Sequence, residues 1–262
     1  REMFVSPRQK KGLFQPRSGD QAILQDDSRF RVFEPSLQLS GARTSYFHSS
    51  LGGYHGAKPR RFEELFDYFS THQIQGVMDM LNVKYLLFEE ASQQKVVDNP
   101  TALGNAWTID SLKVASSADD LLEQMKTLDF SNQALVLKNE TPQNIPHRFN
   151  SDATKEIYLI SAKPTNLRYA FSASEEQIVV FSHMYYPNGW YAEIDGKAVD
   201  HFPVNYVLRG MLVPAGNHTI NFRFEPQVIN LGVNIRLISL LVFLMLVSSM
   251  VYDQIKKNPV QK

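Results

Sequence analysis

The chain has 262 residues, with 27 basic and 27 acidic side chains and therefore no formal net charge. This balance argues against a dedicated nucleic-acid-binding protein, which would carry a clear excess of Lys and Arg. Hydrophobic residues make up 43% of the chain, too many for wholesale disorder. Because the chain contains no cysteine, disulfides, thiolate nucleophiles and cysteine-ligated metal centres are excluded.

Charge is distributed unevenly along the chain. Residues 1–61 carry 11 basic and 5 acidic side chains, whereas residues 62–140 carry 5 basic and 13 acidic ones. Either solvated faces simply differ in charge, or a basic surface near the N-terminal end meets anionic headgroups or phosphates. Residues 1–20 lack the apolar core of a signal peptide, and the chain starts without Met, so we expect it to be a piece of a longer protein.

Residues 1–150 alternate between helical and strand patterns, which predicts an extracytoplasmic subdomain of mixed α/β type. The clearest helix places Phe62, Leu65, Phe66 and Phe69 on one face. A second helix is expected to start after Ser117 as its N-cap. The predicted strands are 28–34, 83–88 and 134–138, and the predicted helices are 59–70, 74–81 and 118–128.

Residues 151–228 are predicted to contain only β-strands and turns. Short strand patterns are separated by turns, among them the hairpin pair Asp195-Gly196 and the turn at 214–217. Such closely spaced strands without helical periodicity predict an antiparallel β-sandwich. The predicted strands are 157–162, 167–173, 177–183, 190–194, 204–213 and 218–224.

Residues 229–252 are predicted to form a transmembrane helix that contacts membrane lipid. The 16 residues from Leu237 to Tyr252 carry no charge, and a helix from Leu231 to Tyr252 would span about 33 Å. The basic tail at 253–262 favours a cytoplasmic C-terminus, which would place the main domain outside the cytoplasm. Arg236 would either extend to the outer headgroups or contact a lipid-linked phosphate. The predicted fold class is therefore α+β with one C-terminal membrane helix.

No familiar catalytic or metal-binding motif is present. The seven histidines form no HxH, HxxxH or HExxH spacing, and GxSxG, GxxxxGK and GxGxxG are absent. We therefore predict no metal site and no cofactor, and the sequence assigns no catalytic residue.

The segment at 46–61 is the first candidate for ligand binding. It combines three glycines with aromatic and cationic side chains just before a predicted helix. An aromatic ring, hydrogen-bond donors and helix-end amides together suit a sugar or a phosphate. The alternative is an ordered connecting loop with solvated charges. The candidate ligand-binding residues here are Tyr54, His55, Lys58 and Arg60.

Two further aromatic segments are ambiguous. Residues 184–190 (MYYPNGW) place Trp190 beside a turn, where exposed rings are typical of carbohydrate contact, although rings at a sandwich corner also pack inward. We include Trp190 among the ligand-binding candidates. Residues 102–107 (ALGNAW) contain a turn pair, and Trp107 is interpreted as a core residue.

Five segments resemble the C-terminal part of the YfhO family, a family of bacterial multi-pass membrane proteins. They occur in the family's order and are followed by a final membrane helix. The segments are GYHGAK (53–58), NVKYLL (82–87), ALGNAW (102–107), YYPNGWYAEIDGK (185–197) and NYVLRGMLVPAGNHTINFRFEP (205–226).

The resemblance implies a function at the cell envelope, with the chain in the bacterial inner membrane and its main domain extracytoplasmic. The family resembles GT-C glycosyltransferases, which use a polyprenyl-phosphate-linked sugar on the outer membrane face, and some members are implicated in glycosylating cell-surface polymers. An N-terminal multi-pass domain of the parent chain and a cell-surface glycan are thus expected partners. GT-C enzymes place their key acidic residues in an early loop that this chain lacks, so we expect this chain alone to be inactive. The alternatives are a non-catalytic, membrane-anchored glycan-binding or scaffolding module, and an envelope transport component.

Overall fold

The computed structural model describes residues 15–53, 56–90, 93–143, 145–150 and 154–257. It has the predicted α+β fold, with mixed helices and strands followed by a β-sandwich and one long apolar helix. The helices are α1 (Ser18–Ile23), α2 (Ala42–Phe47), α3 (Arg60–His72), α4 (Gln75–Met80), α5 (Ala118–Met125) and α6 (Gln227–Lys257). The strands of the N-terminal part are β1 (Arg31–Phe33), β2 (Val83–Glu90), β3 (Gln93–Asp98), β5 (Ser111–Ala115) and β6 (Gln133–Leu137).

Two small sheets organise the N-terminal part. In the first, β1 pairs in parallel with β2, and β2 pairs antiparallel with β3. In the second, β5 and β6 are parallel and are connected through α5, whose Ser117 accepts a hydrogen bond from the backbone of Asp120 as an N-cap should. The predicted apolar face of α3 is buried at Phe62, Leu65, Phe66 and Phe69.

The sandwich consists of a five-stranded and a four-stranded antiparallel sheet. Its interior is closely packed around aromatic rings, with Phe181 contacting both Tyr169 and Phe222 at centroid distances of 4.9 Å. The five-stranded sheet has the order β11 (Lys197–Val199), β10 (Trp190–Ile194), β14 (Gly216–Phe224), β8 (Asn166–Ala173) and β7 (Glu156–Lys163). The four-stranded sheet has the order β12 (Phe202–Val204), β13 (Leu208–Val213), β9 (Gln177–Met184) and β4 (Ala106–Ile109).

The four-stranded sheet is the middle layer of the molecule. Val179 and Phe181 of β9 face the interior of the sandwich, whereas Ile178 and Val180 belong to the core shared with the N-terminal helices. Since successive side chains of a strand point to opposite faces, this one strand serves two cores. The N-terminal part and the sandwich are therefore packed together through β9 and its neighbours.

One predicted strand is interrupted. The run at 204–213 forms two strands, because Asn205 and Tyr206 adopt positive φ angles of 47° and 69°. The backbone N–H of Asn205 donates to the carbonyl of Leu135 (2.7 Å), and its side-chain oxygen accepts from the N–H of Leu135 (2.8 Å). The turn thus supplies hydrogen-bond partners for the backbone N–H and carbonyl of Leu135 at the edge of β6. An uninterrupted strand would leave these two groups unpaired.

The C-terminal helix α6 has 31 residues, and its stretch Gln227–Met250 is long and apolar enough to cross a membrane. These 24 residues span about 36 Å, more than the hydrocarbon core of a typical bilayer. The apolar side chains described along this helix are exposed, and they make no core with the other residues that the structure describes. This is the predicted membrane helix.

Candidate functional site

An open cleft of about 930 Å³ lies along the β11 and β12 edges of the sandwich. Several aromatic rings and charged side chains line it, and Trp190 is one of them. The lining side chains with an aromatic ring or a charge are Tyr185, Trp190, Tyr191, Glu193, Asp200, His201, Phe202, Arg223 and Glu225.

The Trp190 ring is held in place by two neighbouring side chains. The guanidinium of Arg209 lies 4.1 Å from the centroid of the ring, and Phe224 packs against the ring at a centroid distance of 5.2 Å. Arg209 is itself fixed, since its Nε donates to the carbonyl of Met184 at 2.9 Å. A cation against an aromatic face is attractive, so Arg209 orients the ring that the cleft presents.

Arg209 is a buried cation without a counter-ion. Its exposed fraction is 2%, no carboxylate among the described residues forms an ion pair with it, and its Nη1 has no hydrogen-bond partner there. Burial lowers the pKa of Arg209 to about 10, so the group stays protonated at neutral pH. Burying an unpaired charge is unfavourable for folding, which makes a structural role alone a poor explanation for it.

The remaining polar groups of the cleft include both hydrogen-bond donors and hydrogen-bond acceptors. Arg223 forms ion pairs with Glu193 and with Glu225, the latter at 3.6 Å. His201 packs edge-on against Tyr185, and burial lowers the pKa of His201, which is therefore neutral at pH 7. Aromatic faces beside carboxylates and hydroxyls match the alternating apolar and polar surface of a sugar.

The cleft opens next to the start of the membrane helix. Trp190 of β10 pairs with Phe224, and α6 begins three residues after Phe224. The side-chain amide of Gln227, the first residue of α6, donates to the hydroxyl of Tyr191 at 3.3 Å. Any ligand in the cleft would thus be held close to the membrane surface.

The other predicted site, the segment at 46–61, has a different environment. Tyr54 and His55 lie outside the described residues. Gly52 passes so close to the backbone of Gln38 that a Cβ atom would lie 2.4 Å from its carbonyl oxygen, and Gly53 has a φ of 130°. These two glycines are therefore required by backbone packing.

Two cations of this segment, Arg60 and Arg61, are already paired within the chain. Arg60 donates to Glu64 at 2.7 Å, and Arg61 forms a bidentate pair with Glu140 at 2.6 and 3.0 Å. Lys58 lines a separate cleft of about 420 Å³, together with Glu63 and Asp67. The structure does not bring Lys58 or Arg60 to the cleft of Trp190.

The sequence did not single out Arg209, Tyr185 or His201. A usable signal was present for Arg209, because it is the single charge in the apolar run at 204–213. Trp107, by contrast, is the core residue that was expected: it is buried, and its Nε1 donates to the carbonyl of Phe130 at 2.9 Å. Within the described ranges, no three His, Asp or Glu side chains are grouped so that they could hold a metal ion.

Comparison with known proteins gives one result. Residues 120–236 match the family model described as "Bacterial membrane protein YfhO", whereas no curated protein and no solved structure matches the chain. The matched segment runs from α5 into α6 and contains every strand of the sandwich except β4, and so includes the Trp190 cleft. The resemblance found in the sequence is thereby confirmed for residues 120–236, which match the model of the YfhO family of bacterial membrane proteins.

Proposed function

We propose that this chain is the extracytoplasmic C-terminal part of a membrane glycosyltransferase, and that the Trp190 cleft holds a saccharide. The saccharide would be the glycan acceptor or the sugar of a lipid-linked donor, used to modify a cell-surface polymer. The observation that carries the proposal is the position of Trp190: its ring is fixed by Arg209, it lines an open cleft with polar groups, and it borders the membrane helix.

Several further features support this proposal. The family match makes the chain part of a bacterial membrane protein, and α6 provides the anchor. A cleft beside the anchor suits a reaction in which one substrate is embedded in the membrane. The catalytic groups are expected in an N-terminal multi-pass domain of the parent protein, in the inner membrane.

Two measurements test the proposal with the same variants. Binding of cell-wall oligosaccharides to the detergent-solubilised chain tests the cleft, and sugar transfer by the full-length protein in membranes tests the enzyme. Trp190→Ala should weaken saccharide binding at least tenfold, a loss of about 1.4 kcal/mol, because stacking area is removed. Trp190→Phe keeps an aromatic face and should retain most of the binding.

The matched control is Tyr158→Ala. Tyr158 is an aromatic residue of the same sheet, 61% exposed on the edge strand β7, and it does not line the cleft. Unchanged saccharide binding by Trp190→Ala would overturn the assignment of the cleft. Binding without any transfer by the full-length protein would instead favour a glycan-binding or scaffolding module.

A further inference from the structure

We propose that a second site, separate from the Trp190 cleft, binds the phosphate group of an anionic lipid headgroup through Arg29 and Arg31. This site lies at the end of the sandwich from which α6 leaves, on the side of β4 and β9. It rests on other residues than the proposed saccharide site, so either proposal can fail alone.

The register of the strands locates this end of the sandwich. Phe224, which closes β14 just before α6, pairs with Trp190, and Arg223 pairs with Asn166 at the start of β8. In the facing sheet, Leu208 at the start of β13 pairs with Met184 at the end of β9. Arg209, which follows Leu208, lies 4.1 Å from the centroid of the Trp190 ring, so the end of β9 and the start of β13 lie at the same end of the sandwich as the start of α6.

Arg31 lines a small cavity at this end of the molecule. The cavity has a volume of about 200 Å³, and Ser182, Met184 and Leu208 form its wall on the sandwich side. Pro59 closes it from the N-terminal part, at the start of α3. The Nη1 of Arg31 donates to the carbonyl of Leu81 at 2.5 Å, which fixes the guanidinium at the cavity.

Arg29 is held beside Arg31 by its backbone. The side-chain amides of Asn82 and Asn105 both donate to the carbonyl of Arg29, at 3.0 and 3.1 Å. Asn105 also ties this segment to β9, because its carbonyl accepts from the backbone N–H of Ser182 at 3.0 Å. The exposed side chain of Arg29 extends from an ordered backbone.

No acidic side chain neutralises these cations. Among the described residues, neither Arg29 nor Arg31 forms an ion pair with a carboxylate. Tyr169 and His183, whose side chains are hydrogen-bonded at 3.1 Å, both interact electrostatically with Arg29, Arg31 and Arg209. Burial first, and then these arginines, lower the pKa of His183 far below its ordinary value.

A phosphate group fits this arrangement better than other anions at this place. Guanidinium groups form short, charge-assisted hydrogen bonds with phosphate oxygens, often two at once. Anionic phospholipids present such groups at the membrane surface, where α6 places this end of the sandwich. The two arginines would orient the extramembrane part on the bilayer.

The test uses the full chain purified in a zwitterionic detergent, titrated with water-soluble dihexanoyl phosphatidic acid and followed by calorimetry. Dihexanoyl phosphatidylcholine and inorganic phosphate are titrated in parallel. We expect the phosphatidic acid to bind most tightly, and Arg29→Gln and Arg31→Gln each to weaken its binding at least tenfold. Lys113→Gln removes an exposed charge on β5 as the matched control and should change nothing.

Several outcomes would overturn the proposal. Binding that is unchanged in both arginine variants would remove the site. Equal binding of phosphatidylcholine would exclude recognition of the anionic headgroup, and equal binding of inorganic phosphate would exclude the lipid as its source. If Arg31→Gln fails to fold, Arg29→Gln still tests the site. The hydrogen bonds described for Arg29 are made by its backbone carbonyl, so the substitution keeps them. Trp190→Phe should leave the phosphatidic acid affinity intact.

Discussion

Two groups of arginines in this chain differ in what surrounds them. Arg60 and Arg61, at the start of α3, pair with Glu64 and Glu140. Arg29, Arg31 and Arg209, at the membrane-proximal end of the sandwich, have no carboxylate partner among the described residues. In the sequence, the first group is the conspicuous one, because its cations are adjacent to glycines and aromatic residues. The comparison teaches that a cation is available to a ligand only where the fold has not already neutralised it.

The largest expected effect concerns His183, which lies among the unpaired arginines. The pKa of His183 is far lower in the folded chain than in the unfolded chain. Below about pH 6.5 the unfolded chain therefore binds a proton at His183, whereas the folded chain does not. The free energy of unfolding should therefore fall by about 1.4 kcal/mol for each pH unit below 6.5 through this residue alone. Denaturant unfolding of the detergent-solubilised chain at pH 7, 6 and 5 measures the slope.

The variants decide whether His183 is the cause. His183→Gln cannot be protonated, and it should unfold with a shallower pH dependence over this range. His72→Gln changes an exposed histidine of α3 and should keep the wild-type slope. An identical slope in His183→Gln would mean that the region around the unpaired arginines tolerates a further positive charge.

A smaller effect is expected when a paired arginine loses its partner. Glu140→Gln removes the charge that Arg61 contacts through two hydrogen bonds, where the two side chains are 24% and 40% exposed. We expect a loss of about 1 kcal/mol in the free energy of unfolding, since solvent screens part of the interaction. Glu90→Gln is the control, because Glu90 and Lys95 are both more than 60% exposed and 3.8 Å apart. Equal stabilities of the two variants would show that the pairing at Arg61 contributes nothing.

The smallest expected effect concerns His218, whose contribution to stability decreases as the pH rises, the opposite of the dependence expected for His183. A hydrogen bond with Asp195 raises the pKa of His218 and lowers the pKa of Asp195, at the hairpin between β10 and β11. The contribution of His218 is present below about pH 6.5 and is lost as the pH rises through its raised folded-state pKa. His218→Gln should remove a slight decrease in the denaturation midpoint between pH 6 and 8. A decrease that persists in the variant would assign it to another group.

The fold was largely predictable because its elements have local signals. The face of α3, the N-cap at Ser117 and the alternation along β14 depend on residues close in sequence, and all three are present as predicted. The short elements α1, α2 and β3 were missed, because the six residues of each carry too little periodicity to be recognised. The break between β12 and β13 was missed because it depends on Leu135, seventy residues away.

The candidate site was predictable only in part. Trp190 could be named because a ring beside a turn is a local feature, and the structure places it in the open cleft of about 930 Å³. Arg209, Arg31 and Asn105 could not be given their places, since each depends on strands from distant parts of the chain. Conversely, the pairing of Arg61 with Glu140 spans 79 residues and is invisible in the sequence.

The amino-acid sequence by itself determined the α+β class and the apolar helix, because composition and periodicity decide these properties segment by segment. Only the tertiary structure decided which charges are free. A guanidinium has the same chemistry at positions 61 and 209, but its availability depends on whether a carboxylate from another part of the chain lies beside it, and folding alone brings the two together or keeps them apart.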